Sequence, residues 1–246
     1  YIPSDGVDLV TSGMPCETFS TAGNSSRAAY DDRQFLFREG IRIAQIANAR
    51  MILFENVPMI TTKRVAKTSK KLVLDVMKKE LIEAGYGNFK QFIIDAEKYG
   101  VPQKRKRFFL LASRNPDDEI TAPEITTTKE VTVREAFCDI PPVVANTWTE
   151  NPMYLSETSE YTRLMRDDTF WRRKTKENKL LNHLPMNHRA YIIERFHMLR
   201  QGEGLKGLFA RLDEEELKEL QKRKVMPKVV YVKRNYRLSW DEPSLQ

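Results

Sequence analysis

An α/β fold is what this sequence predicts, and three features predict it. Short apolar runs end at loop residues, longer stretches with apolar side chains at helical spacing lie between them, and there is enough apolar surface to bury both. Apolar residues make up 41% of the 246 and aromatics 10%, which suffices for a hydrophobic core and argues against intrinsic disorder. Length alone allows one large domain or two small ones.

Residues 8–12 (Asp-Leu-Val-Thr-Ser) predict a short buried strand that runs into the loop Gly13-Met-Pro-Cys16. Between 35 and 49, the apolar residues Phe35, Leu36, Ile41, Ile43, Ala44, Ile46 and Ala47 fall close to helical spacing, which predicts an amphipathic helix. Residues 51–54 form a second buried strand, ending at Glu55-Asn-Val-Pro58. Leu72, Leu74, Val76, Met77, Leu81 and Ile82 recur at helical period within 69–84, and Gly85 closes that helix as a C-cap. Residues 89–94 and 108–112 read as further strands, with Tyr99-Gly-Val-Pro102 as the turn between them. Strands alternating with helices predict a mostly parallel sheet.

After Arg114 the alternation fades. Asn115-Pro-Asp-Asp118, Thr121-Ala-Pro-Glu124 and Thr126-Thr-Thr128 punctuate the chain, and helical pattern returns only near 189–199 and 213–224. A boundary near residue 122 gives an α/β domain over 1–122 and a smaller, irregular domain over 123–246.

Composition excludes several classes. No apolar run approaches the roughly 18 residues a membrane helix needs. The first residues, Tyr-Ile-Pro-Ser-Asp, lack the basic and apolar regions of a signal peptide, so a soluble, intracellular chain is expected. Two cysteines, Cys16 and Cys138, exclude a disulfide framework and a Cys-based zinc site. His183 and His188 are read as surface or capping residues, and no metal is expected. The 41 Lys+Arg against 34 Asp+Glu leave a charge of +7, which permits a polyanionic partner without demonstrating one.

In open α/β sheets reactive groups collect at the carboxyl ends of strands, and three loops there carry unusual chemistry. In Gly13-Met-Pro-Cys-Glu-Thr-Phe-Ser20, a tight turn presents the Cys16 thiol; a buried apolar cysteine is the alternative. In Glu55-Asn-Val-Pro58 a carboxylate follows four apolar residues, where partial burial would favour an acid role; a helix cap or surface charge is the alternative. In Gly100-Val-Pro-Gln-Lys-Arg-Lys-Arg107, Arg105 and Arg107 would share one face of an extended strand and suit an anionic or polar substrate; a solvated basic edge is the alternative.

The order of these motifs is more specific than any one of them. Gly-x-Pro-Cys-x-x-Phe-Ser, then Asp32-Arg33 and Leu36-Phe37, then Glu55-Asn-Val, then Tyr99-Gly-Val-Pro-Gln-x-Arg-x-Arg107 resembles the DNA (cytosine-5)-methyltransferase family of prokaryotic and phage type. Asn182-His183, Glu194-Arg195-Phe196, Tyr236-Arg237-Leu238 and Pro243-Ser244 resemble its target-recognition region. The resemblance is tight over 8–112 and looser beyond.

It implies a partial Rossmann-like, S-adenosylmethionine-dependent methyltransferase sheet, catalytic over 1–122, followed by a target-recognition domain over 123–246. In such enzymes a thiolate adds to carbon 6 of a flipped-out cytosine, so that carbon 5 can accept the methyl group. By that resemblance Cys16 is the nucleophile, Glu55 contacts ring nitrogen 3, and Arg107 contacts the carbonyl oxygen. Arg105 and Gln103 support the loop, Asn56 orients the loops, and Ser20 belongs with the substrate-binding residues. Pro15 and Leu36 match positions lining the pocket for S-adenosylmethionine, the implied donor. Glu17 stands where the family commonly has Gln, and a carboxylate there raises the pKa of a neighbouring thiol.

The family's glycine-rich cofactor loop and its last motifs are not found in the chain, which reads as a central section or as one part of a split enzyme with a complementary chain. Weak binding of S-adenosylmethionine is therefore expected. Duplex DNA is the implied partner, in the cytoplasm or at the nucleoid of a prokaryote or phage host, within a restriction-modification system. A transfer-RNA cytosine methyltransferase and a non-catalytic DNA-binding subunit are the alternatives. Between Gln221 and Ser239, Lys222, Arg223, Lys224, Lys228, Lys233, Arg234 and Arg237 occur with no acid, and Tyr231 and Tyr236 lie among them. These residues are expected to meet DNA phosphates, with Arg234 or Arg237 reading a base edge.

Overall fold

Residues 3, 5–15, 32–66, 68–127, 129–147, 152–172, 180–229 and 235–245 are described by the computed structural model of the chain. They fall into two units, residues 1–96 with 105–125, and residues 97–104 with 126–246.

The first unit runs β1 (Leu9–Gly13), a 3₁₀ turn (Asp32–Phe35), α1 (Phe37–Ile46), β2 (Met51–Asn56), a second 3₁₀ turn (Pro58–Thr61), α2 (Val73–Glu83) and β3 (Asn88–Asp95). β4 (Gln103–Lys104) belongs to the second unit, and the chain then returns as β5 (Lys106–Ser113). The sheet order is β1-β2-β5-β3. β1 and β2 are parallel, with α1 between them in sequence, but β5 runs antiparallel to both of its neighbours. The expectation of a mostly parallel sheet is therefore corrected. A parallel return needs a crossover of about a dozen residues or more, usually a helix, and residues 96–105 hold only a short turn and β4.

Period-two alternation sorts the side chains. Ile52, Phe54, Phe108, Leu110 and Ala112 are buried with Phe37, Ile41 and Ala44 of α1 and Leu74, Met77 and Leu81 of α2. Met51, Leu53, Glu55, Arg107, Phe109 and Leu111 occupy the partly exposed face. α2 starts at Val73, later than periodicity predicts, because Leu72 is extended and bridges Arg64. Gly85 does close α2: at φ +91° it donates its N–H to Ile82, and Tyr86 donates to Leu81, the paired bonds of a Schellman cap. Tyr86 is fully buried, and its hydroxyl donates to the Ala49 carbonyl at 2.9 Å.

α1 approaches the sheet so closely that Gly40 has no room for a side chain. A Cβ there would lie 2.7 Å from Ser12 Oγ and 2.9 Å from Phe54 Cε1. Gly40→Ala is expected to destabilise the protein by about 1–3 kcal/mol, as overpacking does, despite alanine's better helix propensity. A chemical denaturation midpoint at or above that of the wild type would contradict this packing.

The second unit holds α3 (Val133–Phe137), α4 (Glu160–Arg166), α5 (Ala190–Met198), β6 (Glu203–Gly204), α6 (Leu205–Arg211), α7 (Glu214–Lys222), β7 (Tyr236–Arg237) and β8 (Ser244–Leu245). α5 and α7 fall where periodicity predicts helix; the shorter α3, α4 and α6 were not foreseen. α3, α4 and α7 open with reciprocal capping boxes at Thr132, Ser159 and Asp213. Leu199, Leu205, Leu208, Leu220, Val225 and Met226 form its core. β6 pairs antiparallel with β7, and β4 pairs parallel with β8. Among the described residues no helix is long and apolar enough to cross a membrane, and no group of three or more His, Cys, Asp or Glu could hold a metal ion.

Candidate active site

The parallel β1–β2 pair brings two sequence motifs side by side. The register sets Gly13 opposite Glu55, so both strands end together. Met14 is buried and Pro15 is exposed where the chain leaves β1. Cys16, Glu17 and Ser20 lie outside the described residues. Asn56 ties the two strand ends together. It is 1% exposed, its Nδ2 donates to the Met14 carbonyl at 3.5 Å, and its Oδ1 accepts the Val57 N–H at 2.8 Å.

Glu55 points to the opposite face of β2 from Asn56, the partly exposed one. In the antiparallel β2–β5 register it faces Phe109, so Arg107, two residues away on the same face, is its diagonal neighbour and within reach of a long side chain. The two pair, with Arg107 Nε 2.8 Å from Glu55 Oε1. The Arg107 side chain is 12% exposed and that of Glu55 39%. Arg107 Nη1 also donates to the Lys106 carbonyl at 2.8 Å, which fixes the plane of the guanidinium. The second carboxylate oxygen of Glu55 lies 4.0 Å from where a Gly13 Cβ would be.

Arg105 immediately precedes β5. It falls in the break between β4 and β5, where its carbonyl accepts the Ala96 N–H at 2.9 Å, one step on from the Asp95–Lys106 pair of the β3–β5 ladder. The break arises because β4 pairs with β8 while β5 pairs with β2 and β3, and Arg105 is where the chain changes partner. Leu36 sits at the N-cap of α1 and is 36% exposed. Gln103 belongs to the second unit, opposite Ser244 in the β4–β8 pair.

The basic stretch of the second unit divides into engaged and exposed cations. Arg223 places Nη2 2.7 Å from both carboxylate oxygens of Glu194. Arg237 Nη1 donates to the Leu199 carbonyl at 3.0 Å, so part of its fork holds the end of α5. Lys222, Lys224 and Lys228 are exposed, whereas Tyr231, Lys233 and Arg234 lie outside the described residues. Arg195 donates to the carbonyls of Lys224 and Val225 beyond α7, and its burial lowers its pKa from the ordinary value. His183 Nε2 lies 2.7 Å from the Pro141 carbonyl, and the His188 amide donates to Asn146. Met14, whose carbonyl receives Asn56, is the site component that sequence reading missed; nothing in its residue type signals that role.

The family model for C-5 cytosine-specific DNA methylases matches residues 1–242. Type II methyltransferase M1.HphI of Haemophilus parahaemolyticus is 28% identical over 197 residues, covering 80% of this chain and 43% of the relative. Type II methyltransferase M.DdeI of Desulfomicrobium norvegicum is 27% identical over 206 residues, covering 81% and 46%. The chain thus spans less than half the length of these curated relatives. A crystal structure described as a DNA modification methyltransferase encoded within an E. coli prophage superposes with a TM-score of 0.58 at 18% identity, over 97% of this chain and 61% of that one, which is a likeness of fold.

Proposed function

The chain belongs to the C-5 cytosine-specific DNA methylase family, and from that membership we propose that it carries the chemistry by which a methyl group passes to carbon 5 of a flipped-out cytosine in duplex DNA. The single observation that supports this most is the Glu55–Arg107 pair at 2.8 Å, beside the strand end that leads to Cys16. A carboxyl group and a guanidinium on one face match the adjacent nitrogen 3 and carbonyl oxygen of a cytosine ring. The Type II relatives favour DNA over transfer RNA as substrate and suggest a role in restriction-modification.

In this reading the Cys16 thiolate forms a bond to carbon 6, and the electrons of the carbon 5–carbon 6 double bond move into the ring. Glu55 hydrogen-bonds to nitrogen 3 and Arg107 to the carbonyl oxygen, so both hold the charge that accumulates as sulfur adds. After methylation the carbon 5 proton leaves, the double bond re-forms and the thiolate is expelled. Asn56 keeps the Cys and Glu loops in register through its bond to Met14. Residues 123–246 are proposed as the target-recognition domain, with Lys222, Lys224 and Lys228 on phosphates and Arg234 and Arg237 near base edges.

S-adenosylmethionine supplies the methyl group in this chemistry. Pro15 and Leu36 present exposed apolar surface at the end of β1 and the start of α1, which fits the flat face of the adenine ring of this molecule but not its ribose hydroxyls. The reading is tested by transfer of labelled methyl from S-adenosylmethionine, supplied in large excess to offset the weak binding expected of this chain, to duplex DNA, with transfer RNA in a parallel reaction. Label in cytosine of the duplex is the expected result; label in transfer RNA alone would move the chain to the RNA alternative.

A further inference from the structure

Two large aromatic side chains stand next to each other in solvent on the second unit. Phe170 is 59% exposed and Trp171 47%. They follow α4 on a short turn, and that turn is pinned rather than loose. The Asp167 carboxylate accepts the Phe170 N–H at 2.9 Å, the Asp167 carbonyl accepts the Trp171 N–H at 3.1 Å, and the Arg172 N–H reaches the Thr169 carbonyl at 3.2 Å. The indole N–H donates to the Leu164 carbonyl at 2.8 Å. The two rings meet edge to face, with centroids 4.9 Å apart. The indole's polar atom is thus satisfied within the protein, while apolar ring surface on both residues is left to solvent.

Charge indicates what covers that surface. Arg172, exposed and at φ +51°, continues the turn, and the sequence places four cations, Arg172, Arg173, Lys174 and Lys176, directly after the rings, between Asp167-Asp168 and Glu177. Exposed rings followed along the chain by a run of cations match the chemistry of nucleic acid, in which bases offer π-faces and phosphates offer negative charge. Extruding a cytosine leaves neighbouring bases unpaired and partly unstacked, so the substrate of the proposed reaction presents such a face. We propose that Phe170 and Trp171 form a platform that stacks on an unstacked base of the DNA substrate, with Arg172 on an adjoining phosphate. This assignment rests on the DNA-methylating reading and adds to it a contact outside the basic stretch near residues 221–239.

The test compares binding of wild type, Phe170→Ala and Arg172→Ala to a duplex with a mismatch at the target cytosine, over a range of salt. Phe170→Ala is expected to weaken binding roughly 5- to 150-fold, the span of one lost stacking contact, with the slope of log affinity against log salt unchanged. Arg172→Ala is expected to reduce that slope by about 0.9. DNA should quench the indole emission of wild type more than that of Trp171→Phe. Phe170 is mostly exposed, so its loss leaves the core intact, and an unaltered melting temperature checks this. Wild-type affinity in Phe170→Ala with equal quenching in Trp171→Phe would overturn the platform while sparing the DNA reading. So would a change confined to self-association in sedimentation, which would make the surface a protein interface. A wild type that binds no DNA at low salt would instead remove both readings together.

Discussion

Cys16→Ser is expected to abolish methyl transfer while leaving DNA affinity at the wild-type level. The hydroxyl of serine is a far weaker nucleophile than a thiolate near neutral pH, and without a bond to carbon 6 the ring's carbon 5 remains inert toward the methyl donor. The same argument predicts that wild type forms a stable covalent adduct with DNA carrying 5-fluorocytosine, because fluorine at carbon 5 blocks the last elimination. The serine variant should give no such adduct. A band resistant to denaturant on a gel reads this out. An adduct with the variant, or none with the wild type in the presence of target DNA and S-adenosylmethionine, would sink the covalent mechanism.

Glu55→Gln is expected to lower the methylation rate by about 10²–10⁴, the range for a lost acid–base partner. The amide keeps the size of the side chain but cannot exchange a proton with ring nitrogen 3, and it leaves Arg107, whose Nε lies 2.8 Å from the Glu55 carboxylate, with a neutral partner. The consequence should fall on the rate of the chemical step in a single-turnover assay more than on the affinity for DNA. A near-wild-type rate would return Glu55 to a structural role at the end of β2.

Sequence pattern made the first unit's elements readable because each is long enough to express its period. α1 and α2 repeat apolar residues over several turns, and Gly85 at φ +91° occupies the position after α2 that favours glycine. Strand direction was not readable. The alternation of buried residues along β5 is the same whichever way the strand runs, and only the short return after β3 decides it. α3 and α4 are too short to show a helical period, although the pattern Thr132-x-x-Glu135 is a capping signal that could have revealed the first of them. The candidate catalytic residues could be named from motif order, but the pairing of Glu55 with Arg107 could not. It depends on the register that sets Glu55 opposite Phe109, and no spacing along the chain encodes that offset. The engagement of Arg237 with Leu199 was likewise invisible, since it joins residues 38 apart in sequence.

The excursion of residues 97–104 into the second unit bears on how such a protein can be cut or recombined. The backbone passes between the units three times, after Ala96, after Lys104 and after Ile125, so neither unit is one continuous piece of sequence. A fragment beginning at residue 126 would leave Ser244 without the Pro102 carbonyl that accepts its amide at 2.9 Å, and would leave β8 without β4. Swapping this half between relatives, to test the proposed target-recognition role, therefore calls for a two-segment graft. The octapeptide from Glu97 to Lys104 has to travel with the longer stretch, and a chimera joined at a single seam would mismatch the donor's last strand with the recipient's short one.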